Sequence, residues 1–453
     1  CSAALSMAQN VAKIGTTKYA TLQEAIEKAA DGETVELIAN VDDFGAISFA
    51  DKTITLHMAG FTAKGTSITV SGTNGCLEIC KYWGKTPEID ENYNIVNENN
   101  KYGTLVVKKS IIAQDGAKID MYGAKVVSTT NCTFRAVGDC TGKTDIQSSV
   151  KIRQGYVQGR EGAVCALGRG AKLTIYGGLL EALDNAVVAG RGNKEDGQTS
   201  IEIQKATLIG RIKSPGYAAC GVFHPQQGEL KISSGTKIIA INGAGILMRG
   251  GTLNLTSCNI NATGDKDFTG KVDDCEVKVG TSGIVYDYDC GYYDVANVKV
   301  NVSSSSAMVN GSRSAIDVIN TKAADVSNVF NITEGNFSSD VSAYIKDANV
   351  ESYKHGGIYS VGNFVAQIDD VKYTSVANTI ANAGGKTVVL LKDCKGYTGN
   401  MQNIRSKATL DLNGKTFTLF GFSINSELTI KDSSAKDGIG TGTIITNGYD
   451  SKG

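Results

Sequence analysis

Through the middle of the chain, pairs of apolar residues enclose single polar ones. They are Ile119/Met121, Val150/Ile152, Leu173/Ile175, Ile201/Ile203, Leu230/Ile232, Leu253/Leu255, Val277/Val279 and Val298/Val300. A period of two buries one face of a strand and wets the other. The pairs recur at intervals of roughly 20 to 30 residues, most of them too short for a crossover helix between parallel strands. No helical pattern fills the gaps, so the chain must return by further strands and turns, which is the coil of a β-solenoid.

The coils align beyond their paired apolar residues. "GAVCALGRGAKLTI" (162–175) matches "GAGILMRGGTLNL" (243–255), and "NAVVAGRG" (185–192) and "AACGVFHPQQGELKI" (218–232) follow the same pattern. Each has a small-residue strand, a turn and a Leu-x-Ile-type strand. Arg169 and Arg249 both stand four residues before their leucine. His224 and Pro225 fall in the same turn, where proline suits a corner and could not donate to a ladder. Equivalent corners of stacked strands lie about 4.8 Å apart. The expectation is a basic ridge of Arg169, Arg191, His224 and Arg249 running into an aromatic, acidic loop with Tyr286, Tyr288, Tyr292 and Tyr293.

A different pattern opens the chain and returns near its end. "VAKIGTTKYATLQEAIEKAADGETVELI" (11–38) matches "VAQIDDVKYTSVANTIANAGGKTVVLL" (365–391), and "KTITLHMAGFT" (52–62) matches "KATLDLNGKTFT" (407–418). In the first copy Thr21 and Glu24 form a capping-box pattern, Leu22, Ala25, Ile26 and Ala29 form an apolar helix face, and Gly32 is the stop. In the second copy Ser375 is the expected N-cap and Gly384-Gly385 the stop. His57 takes the slot of Asp411, which marks it as a surface strand residue rather than a catalytic one.

Composition narrows the function classes. The 53 glycines beside 3 prolines, 3 histidines and 1 tryptophan fit an all-β chain with many turns. The net charge of -1 implies no bulk attraction to nucleic acid or anionic membrane. No run of ~18 apolar residues suggests a membrane span. "CSAALSMAQN" reads as the end of a signal peptide with Ser6-Met7-Ala8 as a small-x-small cleavage site, or alternatively as a mature lipoprotein start at Cys1. Both imply export. Of 11 cysteines, Cys132 with Cys140 and Cys275 with Cys290 could close short loops in an oxidising compartment. Cys76 and Cys80 lie about 13 Å apart along a strand, too far to bridge. Most of the remainder read as small apolar core residues. No Cys/His spacing suggests zinc, and no metal or cofactor is expected.

The aligned phrases, with "GNFSSDVSAYIKDANVESYKHGGIYSVG" (335–362), cover about a third of the chain. It resembles right-handed parallel β-helix proteins of the pectin-lyase-like superfamily, and more narrowly adhesin-like secreted or surface proteins of anaerobic gut bacteria. The resemblance implies an all-β, right-handed parallel β-helix (β-solenoid) with short capping helices in flanking repeat modules. The expected organisation is a signal remnant at 1–9, an N-terminal strand–helix–strand module at 10–104, the β-helix at 105–350, a hairpin at 351–364 and a second module at 365–453 that continues beyond the chain's end. Within 335–362 the expectation is a final strand, a helix from Ser339 to Ala348 and a hairpin turning at His355-Gly356-Gly357.

Candidate chemistry is sparse. "GDKDFTGKVDDCE" offers Asp265, Asp267, Asp273 and Asp274, and "YDYDCGYYD" offers Asp287, Asp289 and Asp294. Their spacing does not match a calcium loop, so they read as solvated loop acids. None of the Gly-His-Gly or Asp-Asp signatures of pectin-degrading hydrolases is present, and no nucleophile elbow appears. No catalytic residue is assigned. The basic ridge and tyrosines suit an acidic glycan, with arginine forking onto carboxylate or sulfate and tyrosine stacking on sugar; neutral glycans are also candidates. The first expectation is an exported, non-enzymatic, extracellular or cell-surface adhesin-like protein that binds glycans or forms a rigid stalk. The alternatives are a polysaccharide lyase or glycoside hydrolase, and a phage tail or head fibre. Neither nucleic acid nor a membrane is an expected partner, and the oligomeric state is left open.

Overall fold

The computed structural model describes residues 9–80, 86–97, 103–141, 143–191, 198–273, 275–291, 293–397 and 399–446, with Asn97 and Arg191 described by backbone alone. The chain divides into two compact units, one ending at Tyr344 and the other beginning at Ile345. Each is nearly all β, built on parallel ladders. Among the described residues no helix is long and apolar enough to cross a membrane.

In the first unit the chain lays down strands in three stacks, visited in a fixed rotation. Lys118–Met121, Lys125–Ser128 and Cys132–Val137 join the first, second and third stacks in turn. Ser149–Ile152, Tyr156–Gly159 and Gly162–Leu167 then pair parallel on those three. The rotation repeats through Phe330–Phe337, interrupted once by a small antiparallel hairpin, Thr269–Lys271 with Lys278–Gly280. In the first stack Ile119, Val150, Leu173, Ile201, Leu230 and Leu253 are direct partners, one above another. All six are buried.

Those six pairs follow the alternation in the sequence, and two later ones do not. Val279 belongs to the antiparallel hairpin, so the Val277/Val279 pair is no rung of the ladder. Leu253 and Leu255 pair with Val300 and Val302, so the last rung lies two residues beyond Val298/Val300. There the strand Val298–Gly311 crosses from the first stack to the second, and its three alternating valines allow either register on pattern alone.

The third stack is apolar on both faces. Val164, Val188, Val222, Ile246 and Ile284 form the column on the core face. Cys165, Ala189, Phe223, Leu247 and Val285 form the column on the opposite face, and they too are buried. A strand covered on both sides reads as a continuous apolar run, as "GAVCAL" and "GAGILM" do. The cover is the inserted hairpin, whose Val272 and Val279 join this cluster with Phe268 packed against it.

The start of the first unit is organised by helix α1 (Leu22–Lys28). Thr21 caps it by accepting from the Glu24 N–H at 3.1 Å. Leu22, Ala25 and Ile26 are fully buried. Its last turn is closed by Lys52, whose ammonium donates to the Ile26 and Ala29 carbonyls at 2.8 and 2.7 Å. Tertiary contacts of this kind leave no local sequence mark.

The second unit repeats the plan of that start. Helix α2 (Val376–Ala381) is capped by Ser375, which accepts from the Asn378 N–H at 3.3 Å. Thr387–Leu390, Ala408–Asp411 and Leu428–Lys431 then pair in parallel. Glu36 pairs with His57 in one copy and Val389 with Asp411 in the other, so the two residues do share a slot. The hairpin Glu351–His355/Ile358–Gly362 turns at Gly356-Gly357 as its sequence suggests. The helix expected from Ser339 to Ala348 is only a single 3-10 turn, Ser342–Tyr344.

Candidate functional site

The corner between the third and first stacks carries the motifs that the sequence singles out. Its outer side holds a groove of about 620 Å³. The groove runs along successive first-stack strands at their N-terminal ends. Lys172, Ser200, Glu229 and Thr252 are direct partners in that order, which makes one column of polar side chains at a spacing of about 4.8 Å. Gln198 and Gln227, partners in the same ladder, extend the lining, and Asp145 and Gln147 close one end. Gly228 keeps the floor low: a Cβ there would lie 1.9 Å from the Thr199 carbonyl oxygen.

The two carboxylates in this lining are paired. Glu229 accepts from the Asn254 amide at 2.8 Å and pairs with Lys231 at 2.9 Å. Asp145 pairs with Arg169 at 2.7 Å, and both are well exposed. What remains to a ligand is amide and hydroxyl chemistry, able to donate and accept, together with the Lys172 ammonium.

His224 stands behind this groove, not on a ridge beside it. It ends the strand Ala219–His224, two residues after core-facing Val222, so the period of the strand turns its imidazole inward. It is fully buried. Nδ1 lies 3.3 Å, and Thr199 Oγ1 3.1 Å, from the point a Cβ on Gly190 would occupy. Among the described residues neither Thr199 Oγ1 nor the Gln226 amide has a hydrogen-bond partner, and the His224 ring interacts with the Gly228 backbone. Burial pushes the His224 pKa down to about 4, against a weak opposing pull from the Gly228 backbone. His224 is therefore neutral at pH 7 and shielded from any ligand in the groove.

The basic ridge is corrected on the same grounds. Leu167 is the ladder partner of Arg191, which places Arg169 two residues further into its turn. His224 is the partner of Met248, so Arg249 follows the ladder in the position of Pro225. Arg249 is buried, its Nε donates to Asp287 at 2.7 Å and its guanidinium lies 5.0 Å from the Phe223 ring centre. The side chain of Arg191 lies outside the described residues. Four residues counted back from each leucine matched the letters but not the register.

The tyrosines form no common patch. Tyr286 faces the core, pairs with Met248 in the ladder and meets Phe330 edge-on at 6.3 Å. Burial raises its pKa to about 12. Tyr288 is half-buried under the Lys322 ammonium, 5.5 Å from its ring centre. The Tyr293 ring packs over Gly250, with Cδ2 2.7 Å from the place of a Cβ there. Tyr292 and Asp274 lie outside the described residues. Asp287, read as a solvated acid, is fully buried, and Asp289 accepts from Thr321 rather than standing free in solvent.

Cys275 and Cys290 are joined by a disulfide. The other short-loop pair is not made: the Cys132 thiol faces the Phe134 carbonyl at 3.4 Å, and Cys140 is exposed. Cys80, Cys165, Cys220 and Cys258 are buried in the core as small apolar residues. Cys275, Asp287 and Cys290 have ligand-type atoms within 4.8 Å of one another. Their valences are already committed, sulfur to sulfur and carboxylate to Arg249, so the trio is a poor metal site as it stands.

Comparison with family models, with curated proteins and with solved structures finds no match to this chain. The functional reading therefore rests on the corner itself.

Proposed function

We propose that this chain is an exported, extracellular or cell-surface glycan-binding protein, and that its three parallel stacks close as a right-handed parallel β-helix. The ligand is a neutral glycan held in the groove along Lys172, Ser200, Glu229 and Thr252. The observation that carries this reading is the column of polar side chains at strand spacing in a groove of about 620 Å³. That repeat is close to the rise per residue of an extended sugar chain, and hydroxyls suit amides and paired carboxylates as partners. An acidic glycan, which the arginine pattern suggests, fits less well. Arg169 is neutralised by Asp145, and Arg249 is consumed by Asp287. The rotation of strands through three stacks supports the β-helix, as does the apolar core column shared by successive rungs.

Calorimetric titration of the full chain with neutral oligosaccharides of glucose, mannose and galactose, beside a uronate oligomer, tests the site. The expected result is that a neutral oligosaccharide binds and that the double variant Gln227→Ala/Glu229→Ala weakens it at least tenfold at an unchanged melting midpoint. Binding of the uronate alone would restore the acidic-glycan reading. Undiminished binding in the variant would remove the groove from the account.

A further inference from the structure

The inserted hairpin differs from the stacks it interrupts in direction, position and attachment. It is antiparallel where the stacks are parallel. It lies over the apolar outer column of the third stack, Cys165, Ala189, Phe223, Leu247 and Val285. A column of that kind left in water would be an adhesive patch, so something must cover it. The hairpin supplies Val279 from its second strand and Val272 from just after its first, with Phe268 before them. Few backbone bonds tie it down: the Ala218 N–H donates to the Lys271 carbonyl at 2.7 Å, and the Lys271 N–H to the Gly216 carbonyl at 2.9 Å. The Asp273 N–H donates to the Asn185 side chain at 2.9 Å.

The tip of this cover is held differently. Cys275 is bonded to Cys290, in the loop that follows the third-stack strand Ser282–Asp287. Under that bond the buried Asp287 receives Arg249 at 2.7 Å on one oxygen and the Cys290 N–H at 3.1 Å on the other. The ion pair thus fixes the loop that carries Cys290. Both sulfur-bearing residues are half-buried, within reach of a small thiol, while the other core cysteines are shielded.

We propose that the hairpin is a redox-latched strap, closed by the Cys275–Cys290 disulfide over the apolar outer face of the third stack and opened by its reduction. In the opening step a small dithiol reductant gives up two electrons and two protons. The S–S bond breaks, Cys275 and Cys290 become thiols, and the reductant closes to its own disulfide. The strap then loses its tip restraint and keeps the apolar contacts of Phe268, Val272 and Val279 and its bonds to Gly216, Ala218 and Asn185. The ladders beneath it stay paired, since none of their hydrogen bonds runs through the strap. This proposal stands independently of the glycan reading.

Hydrogen exchange on the full chain, before and after dithiothreitol, is the test, with intact mass confirming the gain of two hydrogens. Reduction is expected to raise exchange across residues 268–280 at least tenfold and to increase the fluorescence of an apolar dye. Amides of Gln227–Ser233 should keep their protection, and reoxidation should restore the strap. Cys275→Ser/Cys290→Ser should behave as the reduced protein without added thiol. Unchanged exchange in the strap after reduction would overturn the latch. So would loss of protection in Gln227–Ser233 together with the strap, because the bond would then hold the whole unit and not one cover. Two titratable thiols at these positions in the untreated protein would overturn it as well.

Discussion

A fully buried histidine favours its neutral form, because burial penalises the charged one. His224 is such a residue, and burial sets its pKa at about 4 against an unfolded value near 6.5. As pH falls below 6.5 the unfolded chain takes a proton that the native chain refuses. Stability is therefore complete above that value and is lost as pH falls toward 4. Between pH 7 and pH 5 the loss from this residue is roughly 2 kcal/mol. His224→Gln should remove that component, so denaturant unfolding of both proteins at the two pH values should show the variant less pH-sensitive by that amount. Equal pH sensitivity would mean that the imidazole reaches water. The sequence offered His224 as a conspicuous polar residue but placed it at a corner. Its own strand period, counted from Val222, points it inward, and that count was the available signal. The burial of Arg249 carried no local signal at all, because its partner Asp287 lies 38 residues further on.

At the scale of elements, alternation fixes register where one face of a strand is wet and fails where both are buried. Six first-stack rungs were legible for that reason, from Ile119 to Leu253. The third stack was not, since "GAGILM" has no polar face to orient it. Its packing toward the second stack instead uses missing side chains. A Cβ on Gly245 would lie 2.3 Å from Ile260 Cγ2 and 2.5 Å from the Gly283 carbonyl oxygen. Gly221, the rung below, has the same contacts, with Ile238 and the Gly245 carbonyl. Gly245→Ala should therefore cost roughly 1–3 kcal/mol by overpacking, read as a lowered denaturant midpoint at unchanged slope. A neutral result would show that the two stacks can separate at no cost. The capping helices were the most legible elements, because N-cap chemistry is local: Thr21 and Ser375 each bond the backbone N–H three residues on.

For the molecule as a whole, a parallel stack converts one corner repeated along the sequence into a line of side chains repeated in space. Arg169 and Arg249 caught the repetition, but the residues that line the groove are the plainer Gln198, Ser200, Gln227 and Glu229. Sequence alone does not mark them as ligand residues, because amides and hydroxyls are common at β surfaces and acquire meaning only when stacked. The scaffold thus supplies the spacing, and the corner supplies the chemistry. The measurement that bears most directly on this is a glycan-array screen of the full chain, with released sugar assayed on every retained glycan. Retention of at least one neutral glycan with no product released is the predicted result. Retention of none would contradict the account. Release of reducing or unsaturated sugar would also contradict it, and would make Asp145 and Glu229 the carboxylates to test as an acid–base pair.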